Sequence, residues 1–134
     1  MSAGLLDTNT LILLGRLETA NLPTEPHIST ITLAELSVGP LVASSESERA
    51  RRQAHLQQAE ADFTPLPFDA AAARAFGQVA ASLRDAGRKA TARGFDAMIA
   101  AIAIANELPL HTCNPADFEN IEGLAVVAVP HPDQ

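Results

Sequence analysis

With 134 residues, 47% of them hydrophobic, the chain is about one domain long and apolar enough to bury a core, which excludes a disordered protein. Its formal charge of −7, from 9 basic and 16 acidic residues, argues against a dedicated nucleic-acid binder when charge is read alone.

The N-terminus has no basic stretch and meets an acid at position 7, so no secretory signal is expected. "GLLDT" reads as a short buried strand. Thr8 or Asn9 is placed to cap a helix from about Thr10 that fades before Pro23. "PHIST" (26–30) reads as a second strand, followed by a helix capped near Thr30 that holds "LAELSV" and breaks or bends at Gly39-Pro40. Residues 45–63 are polar on most sides and rich in helix formers, which predicts an exposed helix. On it, Arg49, Arg51 and Arg52 are expected to pair locally with Glu46 and Glu48. "TPLPF" (64–68) is expected as an edge strand, where proline is tolerated. Asp69 caps an alanine-rich helix reaching about Asp85, and "AGRKATARG" (86–94) is read as a loop. From about Phe95 to Glu107 the pattern is apolar apart from Asp96, a buried helix. Its uncharged run, "AMIAAIAIAN" (97–106), falls far short of the roughly 18 residues that span a bilayer. "LPLHT" (108–112) is a fourth strand, "NPADF" a turn and "LAVVAV" (124–129) a fifth strand. The lone Cys113 forms no internal disulfide, no Cys/His spacing suggests zinc, and a cytoplasmic protein is expected. With no repeat, linker or internal boundary, residues 1–134 read as a single α/β domain. Its five-stranded, mainly parallel sheet is flanked by helices.

In such a fold, helix N-termini share an edge with strand C-termini, and ligands bind along that edge. Asp7, Glu35, Asp96 and Asp117 all fall there. Each has a plainer role open to it: a helix cap, an acid favoured by the helix dipole, or a turn organiser. As a set they repel, by about 4 kcal/mol for two charges about 4 Å apart at an effective dielectric near 20. A converging group must therefore hold protons or bind a cation. Hard oxygen donors without histidine or thiolate favour Mg²⁺ or Mn²⁺. Water on such an ion is acidified and can be aimed at phosphorus.

The segments "LLDTN" (5–9), "TLAEL" (32–36), "FDAMIAAIA" (95–103), "TCNPADF" (112–118) and "IEGLAVV" (121–127) together resemble the PIN-domain family, in particular its VapC-type toxins. The resemblance covers nearly the whole chain. It implies a Mg²⁺-dependent endoribonuclease, with Mn²⁺ as a possible substitute, that hydrolyses RNA phosphodiester bonds as the toxin of a toxin–antitoxin pair. It puts the family's acids on Asp7, Glu35, Asp96 and Asp117. Asp7 and Asp96 would be direct metal ligands, and Glu35 and Asp117 would position water or complete the cluster. Thr8 and Asn9 fall beside the first acid, and Thr112 and Asn114 lead to the last. Cys113 and His111 are read as packing residues. A homodimer and a cognate antitoxin partner are also implied.

Four of the nine basic residues, Arg84, Arg88, Lys89 and Arg93, lie within ten positions and are candidates for RNA phosphates flanking the cut. Surface charge on a loop explains them equally well. With five Phe and neither Trp nor Tyr, stacking platforms are few, so recognition of a folded RNA such as a tRNA or rRNA loop is expected. Two rivals remain. One is a PIN-fold binding module without activity, against which four intact acids argue. The other is a haloacid-dehalogenase-type phosphotransferase using Asp7, whose second Asp is replaced in "DTNT" by Asn9.

Overall fold

A computed structural model describes residues 2–89 and 93–133. Its centre is a parallel sheet of β1 (Ala3–Leu6), β2 (Glu25–His27), β3 (Leu110–Thr112) and β4 (Val126–Ala128), ordered β2-β1-β3-β4. Register pairs Ala3 with Glu25, Leu5 with Leu110 and Leu110 with Val126. Among the described residues the sheet has four strands, not the five expected. Residues 64–68 contribute one bridge, Ser29 to Leu66, in which Leu66 N donates to Ile28 O and Thr30 N to Leu66 O, both at 2.9 Å. Pro65 and Pro67 have no N–H to extend that ladder on either side.

Among the described residues, five helices surround the sheet: α1 (Thr8–Ile12), α2 (Thr30–Val38), α3 (Glu46–Asp62), α4 (Ala70–Asp85) and α5 (Gly94–Ala105). Consecutive strand residues face opposite ways, and β1 uses this to serve two cores. Leu5 packs with Leu110 against Val79 and Leu83 of α4 and Ile99 and Ile102 of α5. Leu6 packs on the other side with Ile28, Leu36 of α2 and Ala59 of α3. Both faces of the sheet are thus covered, the usual condition of a parallel sheet.

Local chemistry sets the helix ends. Asp7, rather than Thr8 or Asn9, caps α1, which is shorter than expected and is followed by 3-10 turns at Leu14–Arg16 and Thr19–Asn21. Ser29 caps α2 through the Thr32 amide at 3.1 Å, and Gly39-Pro40 ends it in a 3-10 turn. Ser45 caps α3, where Arg49 pairs with Glu46 at 2.9 Å and Arg52 with Glu48. Asp69 caps α4 by accepting from the Ala72 amide at 3.0 Å, as expected. Of the expected loop 86–94, residues 90–92 lie outside the described residues. No helix of the described residues is long and apolar enough to cross a membrane.

Candidate active site

β1 ends at Leu6, so Asp7 emerges where the strand hands over to α1. Its backbone is extended while its side chain caps the helix, with Oδ1 accepting from the Thr10 amide at 3.1 Å. Its Oδ2 accepts from the Thr112 hydroxyl at 2.7 Å, a bond across the sheet edge from the end of β3. Asp7 is only 4% exposed, and these two donors hold its carboxylate in one orientation. Thr112 is oriented in turn, because its oxygen accepts from the Asn114 amide at 2.9 Å.

Glu35 lies in α2. Its Oε1 accepts from the Thr8 hydroxyl at 2.6 Å, and Thr8 shares a 2.9 Å hydrogen bond with Thr32. With the Thr8 proton committed to Glu35, Thr32 is the donor to Thr8. Thr32 was not singled out from the sequence. The available signal was its position one turn before Glu35 on the same helix face. Asp96 stands in the first turn of α5, and Asp117 in a 3-10 turn, Pro115–Phe118.

Asp117, Asp7 and Glu35 all act electrostatically on Asp96. Asp96 is raised from 3.8 to about 6, first by burial and then by the charges of Asp117, Asp7 and Glu35, with Arg93 opposing. An open cleft of about 520 Å³ is lined by Glu35, Arg93, Gly94, Phe95 and Asp96. A separate hollow of about 430 Å³, lined by Leu11, Leu14, Leu36 and Phe63, contains none of the four.

The basic residues divide. Arg93 is drawn into the site, with Nη1 2.6 Å from Asp117 Oδ1 and 3.7 Å from Asp96 Oδ2. Arg88 donates to the Glu119 carbonyl at 3.1 Å, while Arg84 and Lys89 are exposed. Asn9 is exposed as well, and its carbonyl accepts from Leu13 N in α1. Cys113 is buried, its amide bonded to the Thr10 hydroxyl at 3.0 Å.

Among the described residues, no three His, Cys, Asp or Glu side chains stand in a metal-holding arrangement. In kind, the donors fit a hard divalent cation: carboxylates backed by hydroxyls, with neither imidazole nor thiolate among them. Beyond the effect of burial, the charges of Asp117, Asp7 and Glu35 also raise Asp96, and such an ion would offset them.

Residues 5–124 match the PIN domain family. The chain is 38% identical over 131 residues to "Ribonuclease VapC5" of Mycobacterium tuberculosis, spanning 96% of this chain and 94% of the relative. It is 31% identical over 109 residues to "Ribonuclease VapC1" of Rickettsia felis, 81% of this chain and 80% of the relative. Among solved structures it resembles VapBC-5 of the VapBC toxin–antitoxin family from Mycobacterium tuberculosis, with a TM-score of 0.83 and 34% identity. That match covers 96% of this chain and 100% of the other.

Proposed function

The chain belongs to the PIN-domain family, and from that premise we propose that it is a Mg²⁺-dependent endoribonuclease, the toxin of a toxin–antitoxin pair. The observation that carries this reading is Asp96, raised to about 6 by burial first and then by the charges of Asp117, Asp7 and Glu35. That carboxylates from three other segments act on Asp96 needs a common reason, and a cation bound for phosphodiester hydrolysis supplies one. The ribonuclease names of the two relatives support the RNA substrate, and the VapBC-5 structure supports a cognate antitoxin.

Asp7 and Asp96 are the residues to hold the ion, for which Mn²⁺ is a possible substitute. When bound, the ion offsets charge on the phosphoryl oxygens and acidifies the attacking water. The protein groups do the rest. Thr112 fixes Asp7, Thr8 fixes Glu35, and Glu35 and Asp117 accept hydrogen bonds from water at the scissile bond. Asn9 and Asn114 remain supporting polar residues beside the acids. Arg84, Arg88 and Lys89 are candidates for RNA phosphates along the approach to α5. A homodimer acting in the cytoplasm on a folded RNA completes the proposal. Exposed Val38, Leu41 and Val42 are an apolar surface of the kind a protein partner covers.

The test is cleavage-site mapping on total cellular RNA after induced expression, with Asp7→Ala as control. Discrete cuts that vanish in Asp7→Ala and on chelation are expected. Identical RNA profiles for the two proteins would leave a PIN-fold binding module as the better reading. A phosphoenzyme on Asp7 would favour phosphotransfer.

A further inference from the structure

We propose that Arg93 is the built-in counter-ion of the acidic cluster and competes with the divalent cation for Asp96 and Asp117. The inference rests on the metal-dependent reading above and adds how the chain manages that site without metal. Arg93 precedes α5 and sits one turn before Asp96. Its Nη1 contacts carboxylates from two different elements, 2.6 Å from Asp117 in the 3-10 turn and 3.7 Å from Asp96 in α5.

One observation makes this contact a competitor rather than ordinary surface pairing: the guanidinium stands against two acids, from two different elements, that a cation in the cluster would draw on. The arginine is also easily displaced. Its side chain is 46% exposed, and exposed ion pairs are weak because water and salt screen them.

Competition is reciprocal: if metal displaces Arg93, removing Arg93 must tighten metal binding. The full-length protein, Arg93→Gln and Arg16→Gln are compared at about 0.15 M salt, where charges farther apart than roughly 8 Å are screened. Arg16 pairs with Asp133 and serves as the control for a lost positive charge. Mn²⁺ is titrated by calorimetry, and melting is followed in chelator and in saturating Mn²⁺. Arg93→Gln is expected to bind Mn²⁺ about 2–5-fold tighter, to melt lower than wild type in chelator, and to lose that deficit in Mn²⁺. Arg16→Gln is expected to match wild type in affinity. Equal affinity in wild type and Arg93→Gln overturns the proposal. So does equal tightening by Arg16→Gln, or a melting deficit of the same size with and without Mn²⁺, which marks a purely structural ion pair. Absence of Mn²⁺ binding in all three proteins overturns the metal reading and this inference with it.

Discussion

Each oxygen of Asp7 already has a donor, the Thr10 amide on one and the Thr112 hydroxyl on the other. The helix cap and the acid of the site are therefore one side chain, and its capping bond is part of what aims it. Thr112→Val keeps the side-chain shape but removes the donor to Asp7 and the acceptor for the Asn114 amide. Cleavage is expected to fall about 10–100-fold, and urea unfolding to show a loss of about 1–3 kcal/mol. Asp96 makes a prediction of opposite sign. Its folded pKa of about 6 lies above the ordinary 3.8, so the native state holds this proton more tightly than the unfolded state does. Without metal, its effect is absent below about pH 3.8, grows as pH rises and is complete above about pH 6. The penalty is about 1–3 kcal/mol once solvent screening is allowed for. Asp96→Asn is expected to be more stable than wild type at pH 7 in chelator, with the difference vanishing near pH 3.5. Paired urea titrations across pH check it.

At the scale of elements, β1 fits closely against β3. A Cβ on Gly4 would lie 2.4 Å from His111 Nδ1, 2.5 Å from His111 Cε1 and 3.2 Å from Pro23 Cβ. Gly4→Ala must push the buried imidazole aside and move β3, the strand that delivers Thr112 to Asp7. A destabilisation of about 1–3 kcal/mol is expected, with a lower melting temperature as the readout. The cap of α4 is the contrasting case. Asp69→Ala removes the bond to the Ala72 amide and is expected to cost about 1 kcal/mol while leaving cleavage unchanged, since Asp69 is not among the acids acting on Asp96. The elements carrying the site were legible because each is punctuated: Ser29 and Asp69 start helices, Gly39-Pro40 stops one, and β-branched or apolar runs mark β1, β3 and β4. The failure at 64–68 is equally physical. Apolar spacing marked a strand, but with prolines on both sides of Leu66 only one residue bridges.

Across the whole molecule the net charge of −7 includes Asp7, Glu35 and Asp117, whose charges all act on Asp96. His111 gives the fold a separate response to acid. It is buried at the β1–β3 junction, with Nδ1 unpartnered among the described residues, and burial lowers its pKa from 6.5. The native state thus binds this proton less readily than the unfolded state, and stability falls as pH drops below about 6.5. His111→Gln is expected to flatten that part of the profile even if it lowers stability throughout, which melting at pH 7.5, 6.5 and 5.5 tests. The acid-side loss from His111 and the neutral-side penalty from Asp96 oppose each other, so only variants separate them.

From the sequence alone, the alternation of strand and helix, the Asp69 cap, and the four segments bearing acids were determined. These follow from side-chain type and spacing, which act within a few residues. The tertiary structure alone decided that the Thr112 hydroxyl reaches Asp7 from 105 positions away, that Thr8 binds Glu35, and that Arg93 turns inward to Asp117 rather than outward. Those contacts depend on the order β2-β1-β3-β4 and its register, which place the ends of distant strands side by side. No local pattern encodes that adjacency, because it is set by the packing of both cores at once.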